Sequence, residues 1–299
     1  MRLVTLRMGD GSTTAASIVG SAAVRLPFSD VGELLAQPEW RSIAADGGPP
    51  VEADPDDVAP VIPRPGKIAC VGHNYAAHVA EQQVEEPRFP TWFAKFSAAL
   101  CGANDPLVLP LSQSRSIDWE VELAVVIGRH CHRIPRGQSD EVVAGYCVAN
   151  DVSVRDFQFR TSQFLQGKTF AGLTPLGPAL VTPDELPGGS PADLRIVCGI
   201  DEEVVQDART SDMIFDVDRL VHELSWILPL EPGDVLLTGT PSGVGAWRRP
   251  PRFLQPGQQL VSTIEGLGSL RNTCVAEPAL SGPDLSGPGR LGPGRLGPD

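Results

Sequence analysis

The chain has 299 residues with 37 acidic side chains against 24 Lys and Arg, giving a formal charge of −13. A surface of that sign does not neutralise phosphates, which excludes nucleic acid and anionic membrane faces as main partners. With 41% hydrophobic residues the chain can bury a sizeable core, and its 31 Gly and 29 Pro point to many turns between short strands.

The opening MRLVTLRMGDGSTTAASIV places two β-leaning runs around Gly9-Asp10-Gly11, a hairpin signal. It lacks the apolar core of a signal peptide, and a cytoplasmic protein is expected. Ser29 to Glu39 is weakly helical, and residues 47–60 are Pro- and acid-rich and read as a linker. Residues 1–62 are therefore expected to form a small N-terminal β-rich domain. From Lys67 the chain alternates short apolar runs (KIACVG, VELAVVIG, GYCVANDVSV, LRIVCGI, GDVLLTG) with Gly/Pro turns, the pattern of a predominantly β domain over residues 63–277. Two helices interrupt it, Asn74 to Gln83 and Asp216 to Leu228. The second sets Leu220, Leu224 and Ile227 in one apolar stripe before Pro229 ends it. Residues 278–299, with GPGRLGPGRLGPD, cannot bury apolar surface and are expected to be disordered. The six cysteines form no CxxC, and Cys70, Cys147 and Cys198 lie in apolar runs as small hydrophobes. No apolar stretch reaches the roughly 18 residues of a membrane span.

The segment DWEVELAVVIG (118–128) carries two carboxylates among apolar residues. Alternate side chains of a strand share a face, so Glu120 and Glu122 point the same way as Ala124 and Val126. Trp119, Val121, Leu123, Val125 and Ile127 make the opposite face wholly apolar. Two like charges side by side are costly to bury without compensation. Either that face is open to water or a cation lies between the two. A third carboxylate, Asp151, stands within the apolar run GYCVANDVSVRD (145–156), aligned with Cys147, Ala149 and Ser153. Asp is depleted in strands, and such a local inconsistency marks functional sites. Three carboxylates without neighbouring Cys or His suit a hard cation: Mg²⁺, with Mn²⁺ or Ca²⁺ as alternatives. His130 and His132 flank Cys131 with no further zinc ligand nearby in sequence, and read as an exposed strand end.

The motifs GHNYAAHVAE (72–81), DWEVELAVVIG (118–128), ANDVSVRDFQ (149–158), TSDMIF (210–215), GDVLLTGTPSGVG (233–245) and IEGLGSLRN (264–272) together resemble the fumarylacetoacetate hydrolase family over about residues 67 to 276. The resemblance implies a mainly β (α+β) fold, a mixed β-sandwich roll with a small N-terminal domain. It also implies one Mg²⁺ or Mn²⁺ on Glu120, Glu122 and Asp151, a water-activating His78–Glu81 dyad, Lys168 as the active-site lysine, and a homodimer. His73, Tyr75, Arg155, Gln158 and Thr240 are then expected around a small oxo-acid substrate. The residues alone allow plainer readings: His78 and Glu81, at i and i+3, as an ordinary exposed pair, Lys168 as a solvated loop lysine, and the Gly-rich stretch at Thr240 as a mere turn. Two positions depart from the family pattern. Phe96 follows Lys95 where Pro is common, and Ala171 stands where an acidic residue is common.

A cation on three carboxylates keeps positions for two oxygens of a 2-oxo acid and polarises its ketone. The reaction expected first is C–C bond hydrolysis of a 2,4-diketo (acylpyruvate-type) acid. His78 with Glu81 would activate water against C4, and Lys168 would stabilise the enolate that leaves. Decarboxylation of an oxaloacetate-type β-keto acid, and dienoate or keto–enol isomerisation, pass through the same enolate, so fold does not decide among them. A catalytically silent binding protein is the reading from another class; the presence of every expected metal-binding residue argues against it.

Overall fold

The computed structural model describes residues 1–51 and 57–278; the tail beyond residue 278 and the middle of the expected linker lie outside the described residues. The short apolar runs form strands, most of them in two sheets. The larger has ten strands and mixed pairing. Its order is Ala22–Arg25, Thr13–Val19, Arg2–Arg7, Thr174–Val181, Val143–Asn150, Val121–Ile127, Val235–Leu237, Ile68–Gly72 and Thr91–Lys95, with Leu100–Cys101 also beside Thr174–Val181. The smaller runs Glu203–Arg209, Arg195–Ile200, Gln259–Ile264, Gly268–Ala276, Leu107–Leu109.

Strand alternation decides what each face of the central strands meets. Val121, Leu123, Val125 and Ile127 share one core with Ile196, Cys198, Leu260 and Leu270 of the smaller sheet, so the two sheets pack face to face. Ala124 and Val126 point the other way, with Ala144, Cys147 and Ala149, into a second core. These are small side chains, and they leave room for Val31, Leu34, Leu35 and Trp40 of two N-terminal helices, Val31–Leu35 and Trp40–Asp46. Asp30 caps the first of these by accepting from the Glu33 amide.

The N-terminal hairpin forms where Gly9-Asp10-Gly11 predicts it, with Arg7 opposite Thr13. It does not stand apart from the rest. Leu3 pairs with Leu180, so its strands extend the edge of the large sheet, and the helices after it cover that sheet's outer face. The helix read as Asn74 to Gln83 spans Ala76–Gln82, and the later one spans Val217–Ile227 behind its cap Asp216. Leu220 and Leu224 are buried as the stripe requires, but Ile227 is 63% exposed. The helix ends there, and Ile227 borders an apolar groove against the edge strand Thr91–Lys95 instead of entering the core. All six cysteines are buried and unpaired. Among the described residues no helix is long and apolar enough to cross a membrane.

Candidate active site

The site grows from an interruption in the central ladder. Val121 pairs with Asn150 and Glu122 with Ala149, and the regular pairing stops there. It resumes beyond, where Ser153 faces Asp118. Glu120 precedes one strand and Asp151 follows the other, so Asp151 is not the strand-interior residue that the alternation suggests. Backbone donors freed by the break find other acceptors: the Asp151 amide donates to the Glu120 carbonyl at 2.8 Å, the Glu120 amide to Asn150 Oδ1 at 2.9 Å, and the Val121 amide to Gln206 Oε1 at 3.1 Å. Ligand oxygens of Glu120, Glu122 and Asp151 consequently lie within 4.8 Å of one another, all buried. That span fits a divalent cation, whose oxygen ligands stand about 2.0–2.6 Å from the ion.

Three cationic side chains already meet this cluster. Lys168 donates to Glu120 Oε2 at 2.6 Å and to Asp151 Oδ2 at 2.8 Å. Lys95 donates to the other Asp151 oxygen, Oδ1. Arg155 donates to Glu120 Oε1 at 2.6 Å, to Gln158 Oε1 at 2.8 Å and, through Nε, to Asp118 Oδ2 at 2.8 Å. Asp118 also accepts from the amides of Gly245 and Ala246. Burial alone would raise the Glu120 carboxyl, but Lys168 and Arg155 outweigh it and hold it at about 2. Glu122 differs. Burial, with Asp151 and Glu120 alongside, pushes its carboxyl well above the usual range, and its partner is the Gly239 amide at 2.7 Å. A group so placed is relieved by a proton or by a metal cation, so the donor set fits the metal that its chemistry implies. Gly239 has φ +94°, and a Cβ there would come within 2.8 Å of Asn74 Cβ, so this amide reaches Glu122 because the residue is glycine.

Beside the carboxylates lies a cavity of about 320 Å³. Glu120, Arg155, Gln158, Lys168 and Thr240 line it on one side, His73, His78 and Gln82 on another, and Phe93, Phe159, Phe164 and Trp247 supply aromatic walls. Thr240 accepts from Gln206 Nε2 at 2.9 Å, so its hydroxyl hydrogen is free to turn toward a ligand. His78 Nδ1 is 3.1 Å from Glu81 Oε2, and Glu81 in turn accepts from the Gly243 amide. The imidazole is 4% exposed, so the plainer reading of His78 as an exposed surface residue is overturned. The same holds for Lys168, 3% exposed.

Of the expected residues, Tyr75 is the exception. It is 1% exposed, forms an isolated bridge with Met213, keeps a hydroxyl without a partner, and is absent from the cavity wall. Extended backbone at the helix cap carries its side chain into the interior. His130 and His132 are exposed as expected, and His130 pairs with Glu231 at 2.9 Å. Sequence reasoning missed Lys95, Asp118 and Gln82. Lys95 lies in the run TWFAKF, and apolar neighbours alone do not tell a buried lysine from an exposed one at a strand end.

Residues 67–275 match the family model described as fumarylacetoacetate (FAA) hydrolase, C-terminal. This chain belongs to that family of enzymes. A mitochondrial oxaloacetate tautomerase of Rattus norvegicus, Fahd2a, is 43% identical over 249 residues, covering 83% of this chain and 78% of that protein. Two solved structures superpose with a TM-score of 0.83, each covering 93% of this chain and 100% of the other. They are a putative HpcE protein from Mycobacterium smegmatis, 37% identical, and a fumarylacetoacetate hydrolase from Exiguobacterium antarcticum, 30% identical.

Proposed function

We propose that the protein catalyses keto–enol interconversion of a 2-oxo acid of the oxaloacetate type, moving a proton at C3. The observation that carries this reading is His78, buried and backed by Glu81, on the wall of a cavity that Glu120 and Lys168 also line. The 43% identity to an oxaloacetate tautomerase supports it. A divalent cation, Mg²⁺ or Mn²⁺, on Glu120, Glu122 and Asp151 would supply Lewis-acid polarisation of the ketone.

The protein's own residues do the rest. His78 Nε2 takes the C3 proton, and its Nδ1–H stays on Glu81, which stabilises the imidazolium that forms. The Gly243 amide keeps Glu81 turned toward His78. Lys168, buried and held protonated by Asp151 and Glu120 against the effect of burial, places positive charge beside the developing enolate oxygen. Phe93 and Phe164, packed edge to face, give the cavity an apolar wall beside these groups. The same proton then returns from His78 to carbon or oxygen.

Acylpyruvate hydrolysis is the second reading, favoured by the equal likeness in fold to a named hydrolase and by the capacity of a His–Glu pair to activate water. Oxaloacetate and an acylpyruvate, each with and without Mg²⁺ or Mn²⁺, separate the readings. Tautomerisation accelerates decay of the enol's ultraviolet absorbance without releasing carboxylic acid, pyruvate or CO₂. Stoichiometric acid and pyruvate with no effect on enol decay would refute the first reading. His78→Ala is expected to slow turnover by about 10²–10⁴-fold while calorimetric Mn²⁺ uptake stays unchanged; equal loss of both contradicts the base role.

A further inference from the structure

Gln82 does not belong to the dyad, yet it sits on it. Its amide nitrogen is 2.6 Å from His78 Nε2, and its carbonyl oxygen is 3.1 Å from His73 Nε2. An amide nitrogen only donates and an amide oxygen only accepts. His78 Nε2 is therefore the unprotonated nitrogen, with its proton on Nδ1 toward Glu81, and His73 carries its proton on Nε2. All three side chains line the cavity. His73 is held in a left-handed conformation, φ 59°, at the turn before the helix that carries the other two. Burial, partly offset by Gln82, keeps the His73 imidazole below its usual value.

A substrate that gives its proton to His78 must take the place of the Gln82 amide nitrogen. With the carbonyl end still tied to His73, the displaced N–H remains beside His78 and meets the atom next to the carbon being deprotonated. We infer that Gln82, anchored by His73, selects substrates that carry an oxygen acceptor on C4, whether a carboxylate or a ketone. Lys168 and two of the Arg155 nitrogens are engaged with Glu120, Asp151, Asp118 and Gln158, and among the donors lining this wall it is the Gln82 amide that sits at His78 Nε2. A substrate with a methyl group at C4 would leave the amide desolvated without an acceptor, which lowers transition-state binding. This deepens the proton-transfer reading and rests on it.

Hydrogen–deuterium exchange at C3 tests it, followed by NMR in D₂O with the Mg²⁺-loaded enzyme against enzyme-free blanks. The substrates are oxaloacetate (C4 carboxylate), acetylpyruvate (C4 ketone) and 2-oxobutyrate (C4 methyl). Gln82→Leu is expected to cut kcat/KM about 10–100-fold on the first two, mostly through KM, and to leave 2-oxobutyrate within about threefold. His73→Asn tolerates the left-handed backbone but is too short to anchor the amide, so it should reproduce the pattern at smaller amplitude; it also serves if Gln82→Leu fails to fold. An equal loss on all three substrates, or no loss on any, overturns the selection role while leaving proton transfer intact. Loss confined to oxaloacetate or to acetylpyruvate supports selection and shows which oxygen is read. A parent enzyme that accelerates exchange on none of them removes the proposed function itself.

Discussion

Lys95 is a lysine whose side chain has no exposed surface, and the group that makes this tolerable is the equally buried Asp151. Removing one member of such a pair strands the other charge in a poorly solvated place. Lys95→Met is expected to lower the unfolding free energy by about 3 kcal/mol, measured by chemical denaturation in chelator. Mn²⁺ should restore much of that loss, because a cation on the cluster replaces the missing positive charge. Equal losses with and without metal would mean that the two cations do not share the carboxylate. Among single residues, Glu120 and Glu122 were legible in sequence because strand parity places them on one face. Lys95 and Gln82 were not: a lysine near the end of an edge strand and a glutamine on a polar helix look the same whether they face water or a buried partner.

At the level of elements, the helix Val217–Ile227 is tied to the loop before Val143–Asn150 through its first turn. Asp218 accepts from the Gly137 amide at 2.8 Å and from Arg136 Nε at 2.7 Å. Burial raises the Asp218 carboxyl, but the Gly137 amide and Arg136 hold it below the ordinary aspartate range. A depressed folded-state pKa gives stability that is fully present above the unfolded value and lost as pH falls through the folded one. Asp218→Asn is therefore expected to cost about 1 kcal/mol at pH 7, with the difference closing below the ordinary aspartate pKa. Urea unfolding at several pH values checks it, and a gap that persists in acid would assign the effect to packing. The helix and its stripe could be read from spacing, except at Ile227: periodicity gives the face of a residue but not whether the neighbouring layer extends far enough to cover it.

Across the whole molecule, three like-charged carboxylates converge where two sheets meet a Gly-rich turn, so metal binding and stability are coupled. Mn²⁺ at about a hundred times its dissociation constant adds about 2.7 kcal/mol, which for a chain of this size raises the unfolding temperature by roughly 5 °C. Glu122→Gln should abolish that rise. In chelator at neutral pH the variant should unfold no earlier than the parent, since an uncharged amide ends the repulsion from Glu120 and Asp151. A metal-dependent rise that survives the substitution would place the cation elsewhere.

The sequence by itself determined the β-rich class, the hairpin, the two helices, the inert cysteines and the face shared by Glu120 and Glu122. These follow from periodicity, turn chemistry and composition within a few neighbouring residues, and its motifs carried the family. Tertiary structure decided what depends on register between distant segments. The ladder breaks between Val121 and Ser153; Lys95 arrives from an edge strand, Gly239 bends back to Glu122, and the N-terminal hairpin joins the same sheet. Alternation sets which side of a strand a residue occupies, but only the crossing of strands remote in sequence sets what lies opposite it.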